Sequence, residues 1–354
     1  MAERRCLFCG EPFTGQGHNF EHVIPRWLVQ EADLSKRTAP IDFPSKRFEA
    51  AMSRIGGRAC ETCNAASSNL EGRARTAYGK IRDGQDLSSA DGRSLLDWLD
   101  KIRIGMWLWG LDVGKADYGV VPKFRINVRM AHKDRLLLAA RYQSGPPMNG
   151  LGIWGASEYF LWSPSAIGFV INNIVLISLS SDFLVSRHLK KLDIKRFMHD
   201  SGDFDADAVL AAEPGMRLEF FAAPFIVGQV ILPMELFTKL GLEMANRSPM
   251  HSGWGEGPIL KLNGKLEDSG GTPGSVELFS GNRDGHLILM ELYLEKATKY
   301  LLDDFLACDF TKISSQESRE TIQGMARQFL AQTDVEIHRS RVRYQQLTGL
   351  KLSV

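Results

Sequence analysis

An acid and an imidazole stand side by side in the stretch NFEHVIPRWL, where Glu21 directly precedes His22 and an apolar pair and Pro25 follow. Neighbours in a strand point to opposite faces, so a bend at a strand end is needed for both to reach one substrate. A third polar group, Asn64, directly follows Cys63 at what reads as the start of a helix. An acid, a histidine and an asparagine suit metal-assisted hydrolysis of a phosphodiester. Carboxylate and amide oxygens are hard ligands, suited to Mg²⁺ or Mn²⁺, and Mg²⁺ also keeps several waters. Such an ion offsets the charge that builds on the phosphate and on the leaving oxygen. A neutral histidine can take the proton of the attacking water. In this reading Glu21 and Asn64 contact the ion and His22 is the base. Glu71 is either a further ligand or the partner of Arg75, four residues on.

Four cysteines bring these residues together. Cys6 and Cys9 form one CxxC, and Cys60 and Cys63 form another. Two such knuckles complete a tetrahedral four-thiolate site, the geometry of structural zinc, and a closed site of this kind leaves no open position for catalysis. Gly10 follows the first pair, where a tight turn favours it. The N-terminus MAERRCLFCGEP has no apolar core of a secretory signal. A cytoplasmic location is expected on that ground, and in a reducing compartment paired cysteines point to metal rather than disulfide. The zinc would tie residue 6 to residue 63 and hold the Glu21–His22 strand end beside the second knuckle. If that knuckle opens a helix, Asn64 points about 100° around the helix from Cys63, on a face shared with Ser68 and Glu71.

The order CxxC, then EHVIP, then CxxCN on a helix resembles the HNH, or ββα-metal, endonuclease superfamily, in the zinc-knuckle form of endonuclease VII-like resolvases and of uncharacterised bacterial HNH proteins. The resemblance covers about residues 4–75. It implies that Glu21 is the acidic metal ligand, His22 the general base and Asn64 the helix-borne ligand. It also implies that Cys6, Cys9, Cys60 and Cys63 hold structural zinc. Two departures stand out: Glu replaces the commoner Asp before the histidine, and no asparagine occurs among the 37 residues between His22 and Cys60. The expected activity is a DNA endonuclease, with DNA favoured over RNA and antiviral defence as a setting. Two-strand cleavage would call for a homodimer, and an activating ligand or partner protein is a further expectation. Two rival readings use the same residues: a non-catalytic zinc-knuckle nucleic-acid-binding protein, and a ligand-sensing protein whose knuckle is purely structural.

The elements that must position these groups form an α+β chain of 354 residues. Residues 1–82 read as a zinc-braced nuclease domain and 93–354 as a larger α+β region for recognition, regulation or oligomerisation. The first unit carries 13 Lys/Arg against 9 Asp/Glu, in a chain whose net charge is +1. This local excess suits a polyanion. Arg26, Lys46, Arg47, Arg54, Arg58, Arg73 and Arg75 are the candidate phosphate contacts, and His18 reads as a loop residue. The stretch 83–92 reads as a linker or a turn between helices. A helix follows over about 93–111, with Leu95, Trp98, Leu99, Ile102, Met106 and Trp109 as a core stripe. FRINVRM, EYFLWSP, IGFVINNIVLISL and RLEFFAAPFIVGQVILP read as strands, and 133–142, 182–192 and 203–212 as short helices. The Gly-rich stretches in 236–290 match no phosphate-binding loop. His251 and His286 there have no partners at ligand spacing, and Cys308 reads as a small buried hydrophobe. Residues 290–346 read as helical. The apolar run 167–179 is too short and too polar to span a bilayer.

Overall fold

A computed structural model describes residues 5–13, 18–34, 38–43, 46–114, 121–122, 124–142, 150–155, 158–181, 225–229, 259–263, 276, 278–279, 283–306 and 315–349. The architecture is α+β. The N-terminal part opens with a knuckle closed by an Arg5–Pro12 bridge. It continues with β1 (His18–His22), α1 (Arg26–Glu31), a hairpin of β2 (Thr38–Phe43) and β3 (Lys46–Ala51), β4 (Gly56–Cys60) and α2 (Glu61–Asp83). β1 and β4 pair antiparallel with His22 opposite Gly56 and His18 opposite Cys60. His18 therefore opens a strand and is not a loop residue.

Gly56 is what lets the strand end close. A Cβ there would fall well inside van der Waals contact of the Glu21 carbonyl oxygen and 2.8 Å from the Phe20 ring. Gly56→Ala is expected to destabilise the chain by about 1–3 kcal/mol through this overpacking. Thermal melting and exchange of the Val23 amide, which donates to the Ile55 carbonyl at 2.9 Å, would read the effect. An unchanged melt would show that the strand end has slack.

α3 (Ser89–Gly114) follows α2 and packs against it. All six stripe residues expected in the core are buried. The same helix runs over a second, larger sheet, with order β10-β9-β5-β8-β7-β6 and a short β11 parallel to β5. Its strands are β5 (Asp134–Tyr142), β6 (Leu151–Trp154), β7 (Ala166–Ile171), β8 (Ile174–Ser181), β9 (Phe225–Gln229), β10 (Ile259–Asn263) and β11 (Leu278–Phe279). One apolar core runs from Leu7 and Ile24 through Trp98 and Ile102 to Leu137, Leu176 and Val227. Gly105 permits α3 to approach the strand end, because a Cβ there would lie 2.8 Å from Val23.

Several local expectations change. FRINVRM forms a helical turn, α4 (Ile126–Arg129), and EYFLWSP forms α5 (Glu158–Trp162). The segment 133–142 is strand β5 rather than a helix, and it is buried on both faces apart from Arg141, so no alternation marks it. IGFVINNIVLISL is the β7–β8 hairpin, turning at Asn172 with φ 53°, a left-handed conformation that asparagine tolerates. The expectations for 182–192, 203–212, His251 and Cys308 lie outside the described residues. The C-terminal helices are α6 (Arg283–Leu306), packed on β7 and β8, and α7 (Gln316–Thr348), packed on α6. His286 lies in α6. No helix among the described residues is long and apolar enough to cross a membrane.

Candidate functional site

The four cysteine sulfurs lie within 4.8 Å of one another. Cys6 Sγ and Cys60 Sγ are 3.8 Å apart, about the edge of a tetrahedron built on ~2.3 Å metal–sulfur bonds. The residues therefore fit a tetrahedral ion. The local chain is arranged around sulfur. Gly10 adopts φ 79° and its amide donates to the Cys6 carbonyl at 3.0 Å. The Cys60 amide points at Cys6 Sγ at 3.4 Å, and the Asn127 side-chain amide points at Cys63 Sγ at 3.7 Å. Burial alone would raise the Cys6 thiol, but backbone amides of Cys9, Cys60 and Phe8 outweigh it and bring it down to about 7. Burial raises Cys9 and Cys63. Leu7 donates to the Arg58 carbonyl at 2.8 Å, and Asn127 donates to the Phe8 carbonyl at 3.0 Å. The first knuckle is thus bound both to β4 and to α4.

Cys60 is the N-cap of α2, which begins at Glu61. Asn64 lies inside the helix, in its first turn. It is half-buried, and its side-chain amide makes no hydrogen bond among the described residues. One turn on, the neighbour of Glu21 is Ser67 rather than Ser68: Ser67 is buried and donates to Glu21 Oε1 at 2.7 Å, whereas Ser68 is exposed. Glu71 does not pair with Arg75. It faces inward and meets Lys101.

Lys101, on α3, was not singled out by sequence. It is 0% exposed, and its Nζ donates to Glu21 Oε1 at 2.6 Å, to Glu71 Oε1 and to the His22 carbonyl at 3.2 Å. Burial raises the Glu71 carboxyl above its ordinary value, against the opposing pull of Lys101. A signal was present in the sequence. Asp100, Lys101 and Arg103 interrupt a helix that is apolar almost all round, and charges on such a helix require partners.

His22 lies on the other face of β1 from Glu21, beside Phe20, with ring centroids 5.1 Å apart. Glu21 and His22 therefore do not converge through a bend. Burial lowers the imidazole pKa below its usual value, with Arg26 adding to the effect, and so favours the neutral ring. Arg26 Nε donates to His22 Nε2 at 3.4 Å, a long bond that a water can replace. Phe20 is half exposed. Arg26, Arg54, Arg58, Arg73 and Arg75 are all exposed, and Arg58 Nη1 lies 2.5 Å from His18 Nε2. Lys46 and Arg47 are in β3. Sequence reasoning missed Phe20 because one aromatic in a strand gives no sign of which face it takes.

The carboxylates, as arranged, do not fit a divalent ion: a buried ammonium already lies on both. Comparisons with known protein families, with characterised proteins and with solved structures return no match. The site is therefore judged on its own geometry.

Proposed function

We propose that this chain is a zinc-braced nuclease of the HNH kind, acting on DNA in preference to RNA. The observation that carries the reading is His22. It is a half-buried imidazole at the end of β1, its neutral form favoured by burial, and it stands opposite Gly56 of β4, the strand whose last residue, Cys60, caps the helix that carries Cys63 and Asn64. Two antiparallel strands followed by a helix, with a four-cysteine cluster at the junction, suit that superfamily. Zinc is the ion expected at the cluster, because four thiolates at tetrahedral spacing select it. Arg26 and Arg58 supply cations for phosphate contacts, and Phe20 offers a face on which an unstacked base can rest.

In this mechanism His22 Nε2 exchanges Arg26 for a water and removes its proton as the oxygen attacks phosphorus. The bond from phosphorus to the leaving oxygen breaks, that oxygen keeps the electron pair, and it takes a proton from solvent. Mg²⁺ or Mn²⁺ dependence belongs to this reading as an expectation. Glu21 and Glu71 would hold such an ion only after it displaced the Lys101 ammonium, and it would then offset charge on the phosphate and leaving oxygen.

Supercoiled plasmid incubated with the parent chain and either ion, beside His22→Ala, tests the reading. Nicking or linearisation by the parent, reduced about 10²–10⁴-fold in the variant, is expected of a lost general base. Equal cleavage by both would remove His22 from the mechanism. A second reading, a non-catalytic nucleic-acid-binding knuckle, is favoured by one observation: Lys101 already neutralises the carboxylates that a catalytic ion would use. DNA retardation without cleavage under any ion would select it.

A further inference from the structure

Glu21, Glu71 and Lys101 reach one point from three different elements, β1, α2 and α3. The ammonium has three donors, and it meets three acceptors: a carboxylate oxygen from each glutamate and the carbonyl of His22. Among the described residues, no other cation touches either carboxylate. Ser67 supplies the remaining contact to Glu21. The ammonium also lies 6.0 Å from the centroid of Phe8, between the first two cysteines. The lysine is thus built in as closely as a bound ion would be. Its backbone is fixed as well. Asp100, the preceding residue, is locked among buried arginines, and Gly105, one turn on, lets the helix rest on Val23.

We propose that Lys101 is the resident cation of this site, holding the Glu21–Glu71 pair in place of a divalent ion, so that a metal gains the pair only by displacing the ammonium. The proposal deepens the nuclease reading by naming a control on its metal. It rests on the cation-binding role of Glu21 and Glu71 and not on cleavage. A buried ion pair with a purely structural role makes a different forecast, since removing its lysine would create no metal site.

The test uses full-length, zinc-loaded protein titrated with Mn²⁺, with free Mn²⁺ read by its electron paramagnetic resonance signal. The parent and Glu21→Gln should bind Mn²⁺ equally weakly. Lys101→Gln and Lys101→Met should each gain one site, roughly tenfold or more tighter than the parent's, and Glu21→Gln added to either should abolish it. Lys101→Arg, which keeps the charge, should behave as the parent does. Melting curves with and without Mn²⁺ run alongside, and a neutral variant that folds only with Mn²⁺ also supports the proposal. Folded neutral variants that bind no tighter than the parent would overturn it. So would a tight Mn²⁺ site in the parent that Glu21→Gln removes. If neither neutral variant folds even with Mn²⁺ present, the proposal is overturned, because a metal able to take the ammonium's place would restore the fold. Cleavage enters none of these readouts, so the proposal and the nuclease reading fail separately.

Discussion

Loss of the ion from the four-cysteine cluster is expected to release the whole strand end that carries Glu21 and His22. Cys60→Ser should lower the metal content from one zinc per chain to none, and exchange should become fast at the Cys6, Leu7 and Gly10 amides and along β1. The reason lies in what the knuckle holds. Cys6 and Cys60 are 54 residues apart and bring their sulfurs to 3.8 Å, while Leu7 clasps β4 and Phe8 accepts from α4. Structural zinc is worth ~10–16 kcal/mol to small domains that do not fold without it. Here the core shared with α3 retains part of the order, so a loss of about 5 kcal/mol is expected, and a Tm fall of about 10 °C follows at roughly 2 °C per kcal/mol. Metal analysis with a thermal melt checks both figures. A parent that carries no zinc, or a Cys60→Ser variant with unchanged melting, would remove the ion from the architecture.

The second large effect is expected at Asp100. This carboxylate is 1% exposed and sits between Arg103 and Arg135, the latter at 3.2 Å, and it also accepts from the Ala131 amide at 3.0 Å. Burial would raise its pKa, but Arg103, Arg135 and the Ala131 amide together reverse this, and the group is held below the ordinary carboxylate value. Its stabilisation is therefore complete above the unfolded-state value and is lost as pH falls through the depressed one. Each arginine has other partners. Arg103 donates to the Pro164 carbonyl at 2.7 Å and to Ser178 at 2.6 Å, and Arg135 reaches Gln229 at 2.9 Å and Asp97 at 2.6 Å. Asp100→Ala leaves two buried guanidinium groups short of negative charge, and removing one partner of a buried pair costs about 3–5 kcal/mol. Chemical denaturation would measure it. Arg103→Met in the same chain should recover part of the loss, because the two residues are coupled. A variant within about 1 kcal/mol of the parent would show that Asp97 and Gln229 suffice for Arg135, and Pro164 and Ser178 for Arg103.

Much of the site was legible from spacing. Two CxxC pairs, one of them opening a helix, gave the cluster, and the adjacent Glu21 and His22 gave the strand end that meets it. The α3 stripe was legible because an apolar period of three to four residues survives burial. What could not be read was the convergence. Lys101 is 80 residues from Glu21, and a lysine on an apolar helix calls for a partner without saying which residue supplies it. Ser67 and Ser68 are neighbours of the same type about 100° apart around the helix, and the phase that decides between them is known only once the Cys60 cap is known. FRINVRM misled because its alternation spans a helical turn too short to show a period. DRLLLAARY misled in the opposite way, since a strand covered on nearly every side loses its alternation.

Asp100 and Lys101 are consecutive on α3, yet one is committed to the large sheet and the other to the carboxylate pair. This bears on portability. The motif-bearing segment resembles a cassette that could be lifted out and grafted elsewhere, but its inner charge balance is completed by a helix that lies beyond it. A fragment ending before α3 would carry Glu21 and Glu71 without their counter-charge, and would be a different chemical object from the same residues in the intact chain.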